Sequence, residues 1–296
     1  MTKRGSRSID TATRITTQYA GLAAYSSGRP DGRAPLVLLH GLTFDRTGWG
    51  TVLDELDVVD PGRRTVAFDL PDHGASAPLA SHDLEGVVAA VHDAIEAAGV
   101  ERPVLVGHSI SGVISSLYAA LYPTAGVVVV DVSLRVRPFA ELLRSLEPAL
   151  RGPGYPEAWS QIEVSMHAEL LAPEAQKIVR AMSRPRQDQF LSYQRELLEV
   201  PVAEMEGRAH VVLAALRAGG RPYSVIAGDG FGPDDERWLR ERLPQAAVEV
   251  WSGTGHFPFL AHARRFAERL AATAGWPTDR SARRSQPPAP PPSTAA

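Results

Sequence analysis

The sequence predicts an α/β protein with a mostly parallel central sheet flanked by helices and a helical segment inserted late in the chain. Three observations carry this. Short apolar runs rich in valine and leucine, PLVLLHG, RTVAFDL, PVLVGHS and GVVVVDV, recur between residues 35 and 132, and hydrophobicity that is continuous rather than alternating marks strands buried on both faces. Stretches with helical spacing separate several of them, the order that builds a parallel sheet covered on both sides. From about Leu134 to about Glu206 the valine-rich runs stop and amphipathic helical stretches take over, after which strand and helix alternate again.

Taken in order, residues 1–17 form a polar arm expected to be flexible. QYAGLAAYSSG, from Gln18 to Gly28, is expected as a hairpin, with RPDGR as a turn rich in Pro, Asp and Gly. PLVLLHG is a buried strand ending at His40 and Gly41; RTVAFDL is a second, reaching Asp69, with PDHGAS as the loop after it. Asp83 to Ala98 carries Val87, Val88, Val91 and Ile95 on one helical face and stops at Gly99. PVLVGHS is the third strand, ISGVISSLYAALYP a helix ended by Pro123, and GVVVVDV the fourth strand. ELLRSLEPAL, AWSQIEVSMHAELL and QDQFLSYQRELL are helices of an insertion spanning 134–206. RPYSVIAGDG, DDERWLRERL, AAVEVWSGTG and FPFLAHARRFAERLAATAG then read as strand, helix, strand and last helix. The core is therefore assigned to 18–133 and 207–275, and 276–296 is expected to be a disordered Pro-rich tail.

Composition removes several function classes. A net charge of −3 leaves no electrostatic footprint for nucleic acid or anionic lipid. With no cysteine in the chain, disulfides, thiolate metal sites and a cysteine nucleophile are excluded. The N-terminus lacks the apolar run of a secretory signal and no stretch is long enough to span a bilayer, so a cytoplasmic protein with no membrane partner is expected. There is no glycine-rich phosphate loop, nicotinamide fingerprint or dense cluster of metal ligands, so neither cofactor nor metal is expected. The expected partner is a small-molecule substrate; nothing in the sequence sets an oligomeric state.

Ligands of open parallel sheets bind outside the C-terminal strand ends, and those ends carry the chemistry. Ser109 stands where PVLVGH meets ISGVISSLYAAL, the strand–turn–helix context of a nucleophilic serine. The G-x-S-x-G pattern is incomplete: Gly107 lies two before Ser109, but Ser111 occupies the position two after it and Gly112 follows. Ser111 is small enough to keep strand and helix close. A serine hydroxyl needs a base. His256, in the glycine-rich stretch WSGTGHFPFL between the last strand and the last helix, is the best placed of the nine histidines. His108 is expected to point away from Ser109 by strand alternation.

HGLTFDRTGW, DLPDHGAS, GHSISG and GTGHFPFL, in that order, resemble the α/β-hydrolase superfamily, specifically its serine-hydrolase branch with a helical cap, over about Gln18 to Gly275. The resemblance implies an oxyanion hole made by the backbone N–H groups of Leu42 and Ile110. It also implies a triad acid, usually an aspartate three residues after the glycine that ends the strand following the cap. Here that position, counted from Gly228, is Phe231. Two aspartates preserve the order serine, acid, histidine: Asp131, at the end of the strand before the insertion, and Asp229, directly after Gly228. Both stay open. Asp72 stands where the family usually has glycine, and its loop is assigned a structural role. Arg135 and Arg137 are candidate receivers of a substrate carboxylate. No substrate contact is assigned to Trp159, Met166, Phe190 or Tyr193 of the insertion.

The expected function is that of a serine hydrolase cleaving an ester or lactone of a small to medium organic acid through an acyl-enzyme. Carbon–carbon bond hydrolysis and cofactor-free peroxide chemistry run on similar residues. A protein of another class, one that binds or senses a small molecule with little turnover, is the alternative suggested by the missing acid.

Overall fold

The computed structural model describes residues 14–278. Strands β1 (Ile15–Tyr19), β2 (Leu22–Ser27), β3 (Leu36–Leu39), β4 (Thr65–Phe68), β5 (Val104–His108), β6 (Gly126–Val130), β7 (Tyr223–Ala227) and β8 (Ala246–Val250) form one eight-stranded sheet in the order β1-β2-β4-β3-β5-β6-β7-β8. β1 and β2 pair antiparallel with each other, and β2 pairs antiparallel with β4. Every other neighbour pair is parallel.

The expected hairpin is present but starts earlier. Its turn is Ala20–Gly21, both at positive φ, as a two-residue hairpin turn requires, while RPDGR is the passage to β3. The first strand begins at Ile15, inside the expected arm, because ITTQY pairs residue for residue with LAAYS, Leu22 to Ser26. The remainder of the arm, and the tail beyond residue 278, lie outside the described residues. Trp276, assigned to the tail, packs on the sheet: a Cβ at Gly126 would stand 2.3 Å from its ring.

Side-chain alternation sends the strand residues to the two faces of the sheet. Val37, Leu39, Val66, Phe68 and Leu105 face a layer holding α2 (Leu84–Ala97) and α3 (Ile110–Leu121). Leu36, Leu38, Val104, Val106 and Val128 face the opposite layer, where Val52 and Leu53 come from α1 (Gly50–Val59). The sequence reading does not contain α1. Asp83 caps α2 by accepting the Gly86 N–H at 2.8 Å, the side-chain cap that starts a helix.

The insertion between β6 and β7 consists of α4 (Val136–Arg151), α5 (Tyr155–Ser165), α6 (Pro173–Met182), α7 (Gln187–Tyr193), α8 (Arg195–Glu199) and α9 (Val202–Ala218). α9 runs straight through the expected boundary at 206/207, since the exposed Gly207 interrupts nothing. After β7 come α10 (Pro233–Arg242), α11 (Pro258–Ala261) and α12 (Ala263–Ala271). The stretch expected as one last helix is broken at His262, whose φ of −135° and ψ of 56° leave helical geometry. Phe266 and Leu270 of α12 then join the same core as α1.

The topology positions the site. From β3 the chain moves to β4 on one side and then to β5 on the other, so the C-terminal ends of β3 and β5 flank the switch point where such sheets hold ligands. No helix among the described residues is long and apolar enough to cross a membrane.

Candidate active site

Ser109 follows β5 directly, with φ 55° and ψ −127°, and α3 begins at the next residue. Such a backbone costs about 1–3 kcal/mol and persists only where its surroundings enforce it. Gly107 is part of that enforcement: a Cβ there would lie 2.0 Å from the Ser111 carbonyl oxygen, so only glycine lets strand and helix approach this closely. The Ser109 N–H donates to Val130 O at 2.9 Å, tying the turn to the end of β6.

The next residue along β6 is Asp131, at φ 49°. Its Oδ2 lies 2.5 Å from His256 Nδ1, and its Oδ1 accepts the Gly228 N–H at 2.6 Å. The carboxylate therefore spans from the end of β6 to the loops after β7 and β8. Asp229 does something else: it accepts the N–H groups of Gly253, Thr254 and Gly255 at 2.9, 3.0 and 3.0 Å. The Gly253 N–H leads in holding its carboxyl below the ordinary range, against desolvation, with the Gly255 and Thr254 N–H groups adding to it. Asp229 thus shapes the loop that carries His256, while Asp131 meets the ring. The His256 N–H donates to Met166 O of the insertion at 2.8 Å.

His108, the residue before Ser109, takes part in the site through its ring. It is buried, its ring centroid lies 4.6 Å from that of His256, and its Nε2–H donates to His256 O at 2.9 Å. Burial, then the neighbouring His256, holds it well below an ordinary histidine pKa. Sequence reasoning missed this support. The signal available was a histidine next to Ser109 at the end of a fully buried strand, where a polar ring needs a partner.

The loop after β3 is pinned from several sides. His40 Nδ1–H donates to Gly41 O at 2.8 Å, and Nε2 accepts the Leu70 N–H at 2.9 Å. Thr43 N–H donates to His73 Nε2 at 3.2 Å, while His73 Nδ1–H donates to Pro71 O at 2.9 Å. A Cβ at Gly41 would stand 2.9 Å from His108 Nδ1 and 3.2 Å from Ser109 Cβ, so the loop lies directly against the Ser109 turn. Among the described residues, the N–H groups of Leu42 and Ile110 donate to no protein acceptor. Ile110 follows Ser109 directly, and Leu42 follows Gly41, which lies against the Ser109 turn.

Both rings accept a backbone N–H and must be neutral to do so. Burial lowers His40 to about 4; burial, then repulsion from His40, lowers His73 to about 3, against an ordinary 6.5. The unfolded chain therefore binds protons that the native chain refuses. Stability is full above about pH 6.5 and is lost, by up to several kcal/mol, as pH falls from there toward about 4. Denaturant midpoints should be level between about pH 8 and 7 and drop steadily below about 6.5; an unchanged midpoint down to about pH 5 would contradict the neutral assignment of these rings.

The insertion contacts the loop after β4 through Tyr193 O–H to Pro71 O at 2.8 Å, Gln189 to Asp72 O at 2.5 Å, and Arg186 to the Asp72 carboxylate at 3.1 Å. Asp72 has φ 62°, the conformation that suits the family's glycine, and its carboxylate meets Arg186. Arg135 and Arg137 pair with Asp235 at 3.3 Å and Glu206 at 2.7 Å. Trp159 and Phe190 are buried against each other, with ring centroids 5.7 Å apart. No group of three or more metal-ligating side chains is gathered among the described residues.

Comparison with known proteins follows this geometry. A model of the alpha/beta hydrolase family matches residues 36–269. The chain is 31% identical over 256 residues to a pimeloyl-[acyl-carrier protein] methyl ester esterase of Chromobacterium violaceum, covering 81% of this chain and 94% of that protein. In structure it resembles E-2-(acetamidomethylene)succinate hydrolase, with a TM-score of 0.65 at 14% identity, covering 88% of this chain and 99% of that one. It also resembles a structure from work on carboxylesterases of the thaumarchaeon Nitrososphaera gargenis, with a TM-score of 0.61 at 16% identity, covering 88% and 97%. These two structural likenesses speak for the fold alone. The family match over most of the sheet, together with the nearly full-length esterase relative, establishes that the chain belongs to the α/β hydrolase family.

Proposed function

We propose that this hydrolase is a serine esterase that cleaves an ester or lactone of a small to medium organic acid through an acyl-enzyme. The observation that carries the reading is the Asp131–His256 pair at the strand ends that also hold Ser109 in its strained turn. Ser109 Oγ attacks the substrate carbonyl carbon while its proton passes to His256 Nε2. Asp131, hydrogen-bonded at Nδ1, holds the ring in the required tautomer and stabilises the imidazolium. The N–H groups of Leu42 and Ile110 receive the oxyanion, each worth about 3 kcal/mol in the transition state. Collapse of the tetrahedral intermediate expels the alcohol with the proton from His256. A water deprotonated by the same histidine then attacks the acyl-enzyme, releasing the acid and restoring Ser109.

The methyl ester esterase among the relatives favours ester over amide substrates. The alternative of a binding protein rested on a histidine without an acid; the Asp131 contact withdraws that support. The insertion, lying over the loops after β4 and β8, serves as the cap that shapes the acyl site.

Turnover of methyl and p-nitrophenyl esters of increasing chain length, lactones and matched amides tests the reading. Ester or lactone hydrolysis is expected to exceed amide hydrolysis, and no ester or lactone turned over above the Ser109→Ala background would overturn it. Gly41→Ala should lower kcat at least about 100-fold, because the added methyl pushes the Leu42 N–H out of place. A kcat within a factor of about two of wild type would remove Leu42 from the oxyanion hole.

A further inference from the structure

The departure from the family motif at Ser111 has a partner in space. Its side chain is fully buried, and Oγ–H donates to the His40 carbonyl oxygen at 2.5 Å, across 71 positions of sequence. Glycine in this place has no hydroxyl to offer. The two residues joined belong to the two halves of the proposed oxyanion hole: Ser111 follows Ile110 at the start of α3, and His40 lies two before Leu42.

We infer that Ser111 is a positioning residue that fixes the Leu42 N–H relative to the Ile110 N–H, a role that rests on the serine-esterase reading above. The carbonyl of His40 belongs to the His40–Gly41 peptide, so anchoring it sets the plane of that peptide. The next peptide, Gly41–Leu42, has its carbonyl held by the His40 ring at 2.8 Å and by the Phe44 N–H at 3.2 Å. In a trans peptide the N–H points opposite to the carbonyl, so the direction of the Leu42 N–H follows from those bonds. Without the Ser111 hydroxyl the first peptide loses its tie to α3, and Gly41, which lacks a side chain, offers little resistance to rotation. Misaligned donors weaken transition-state binding more than ground-state binding, because the charge they serve develops only in the transition state.

Steady-state kinetics and fluorophosphonate labelling rates of Ser111→Ala, Ser111→Gly and Ser111→Thr, beside wild type and Ser109→Ala, test this. Ser111→Ala and Ser111→Gly are expected to lower kcat about tenfold with KM changed less than about twofold, and to slow labelling of Ser109 by a similar factor. Ser111→Thr, which keeps the donor, should recover part of the loss. If wild type is active and Ser109→Ala is not, yet both hydroxyl-free variants keep the wild-type kcat and labelling rate, this inference fails and the esterase reading stands. Variants that lose thermal stability while the folded fraction keeps full kcat also overturn it, since Ser111 would then be structural only. Wild type that neither turns over esters nor labels overturns the esterase reading and this inference with it.

Discussion

Ser109→Ala is expected to lower kcat for the best ester by at least about 10⁴-fold while leaving the fold intact. The two effects separate because the Ser109 side chain makes no capping hydrogen bond to α3, so its loss leaves no buried partner unsatisfied. The turn itself is enforced from outside, by the Gly107 approach and the Ser109 N–H to Val130 O bond, and alanine inherits both. Circular dichroism and the denaturation midpoint should match wild type. A variant retaining more than about a tenth of the activity would mean that another group attacks the carbonyl.

Asp131→Asn and Asp229→Asn form the second test, and they should differ by orders of magnitude. Asparagine at 131 tolerates the φ of 49°, so the chain folds. Its amide can present an N–H to His256 Nδ1 and so favour the wrong tautomer, and kcat should fall by about 10⁴-fold. Asp229 holds three backbone N–H groups of the histidine loop and does not bond the His256 ring. Asn at 229 keeps one acceptor oxygen, so a loss of no more than about tenfold, with a lower thermal midpoint, is expected. Equal losses in the two variants, or the greater loss at Asp229, would reverse the assignment of the acid.

What could be read from the chain divides along physical lines. The buried strands were legible because a two-faced parallel sheet demands continuous apolar runs, and Ser109 and His256 could be singled out because both stand between a predicted strand and a predicted helix. The choice between Asp131 and Asp229 was not, since both keep the chain order. It depends on where each side chain bonds: Asp131 reaches past β7 to the His256 ring, while Asp229, just after the strand beside β8, is taken up by the backbone of the loop that carries His256. Ser111 read as a tolerated small residue; its bond partner lies on a different strand end, and spacing along the sequence carries no trace of it. The hairpin's first strand was begun late because ITT belongs to a polar stretch, whereas strand register runs it from Ile15 to a reversal at Ala20–Gly21. The break at His262 and the run of α9 through Gly207 are tertiary outcomes in segments whose local pattern reads as unbroken helix or as a boundary.

The central claim is that the Ser109 hydroxyl becomes covalently bonded to the substrate's acyl carbon. The most direct measurement is mass spectrometry of the folded protein after reaction with a fluorophosphonate, followed by peptide mapping. A single phosphonyl adduct on the peptide containing Ser109, absent from Ser109→Ala and strongly slowed in His256→Ala, is the result this account predicts. Unmodified protein, or an adduct on any other residue, would contradict it.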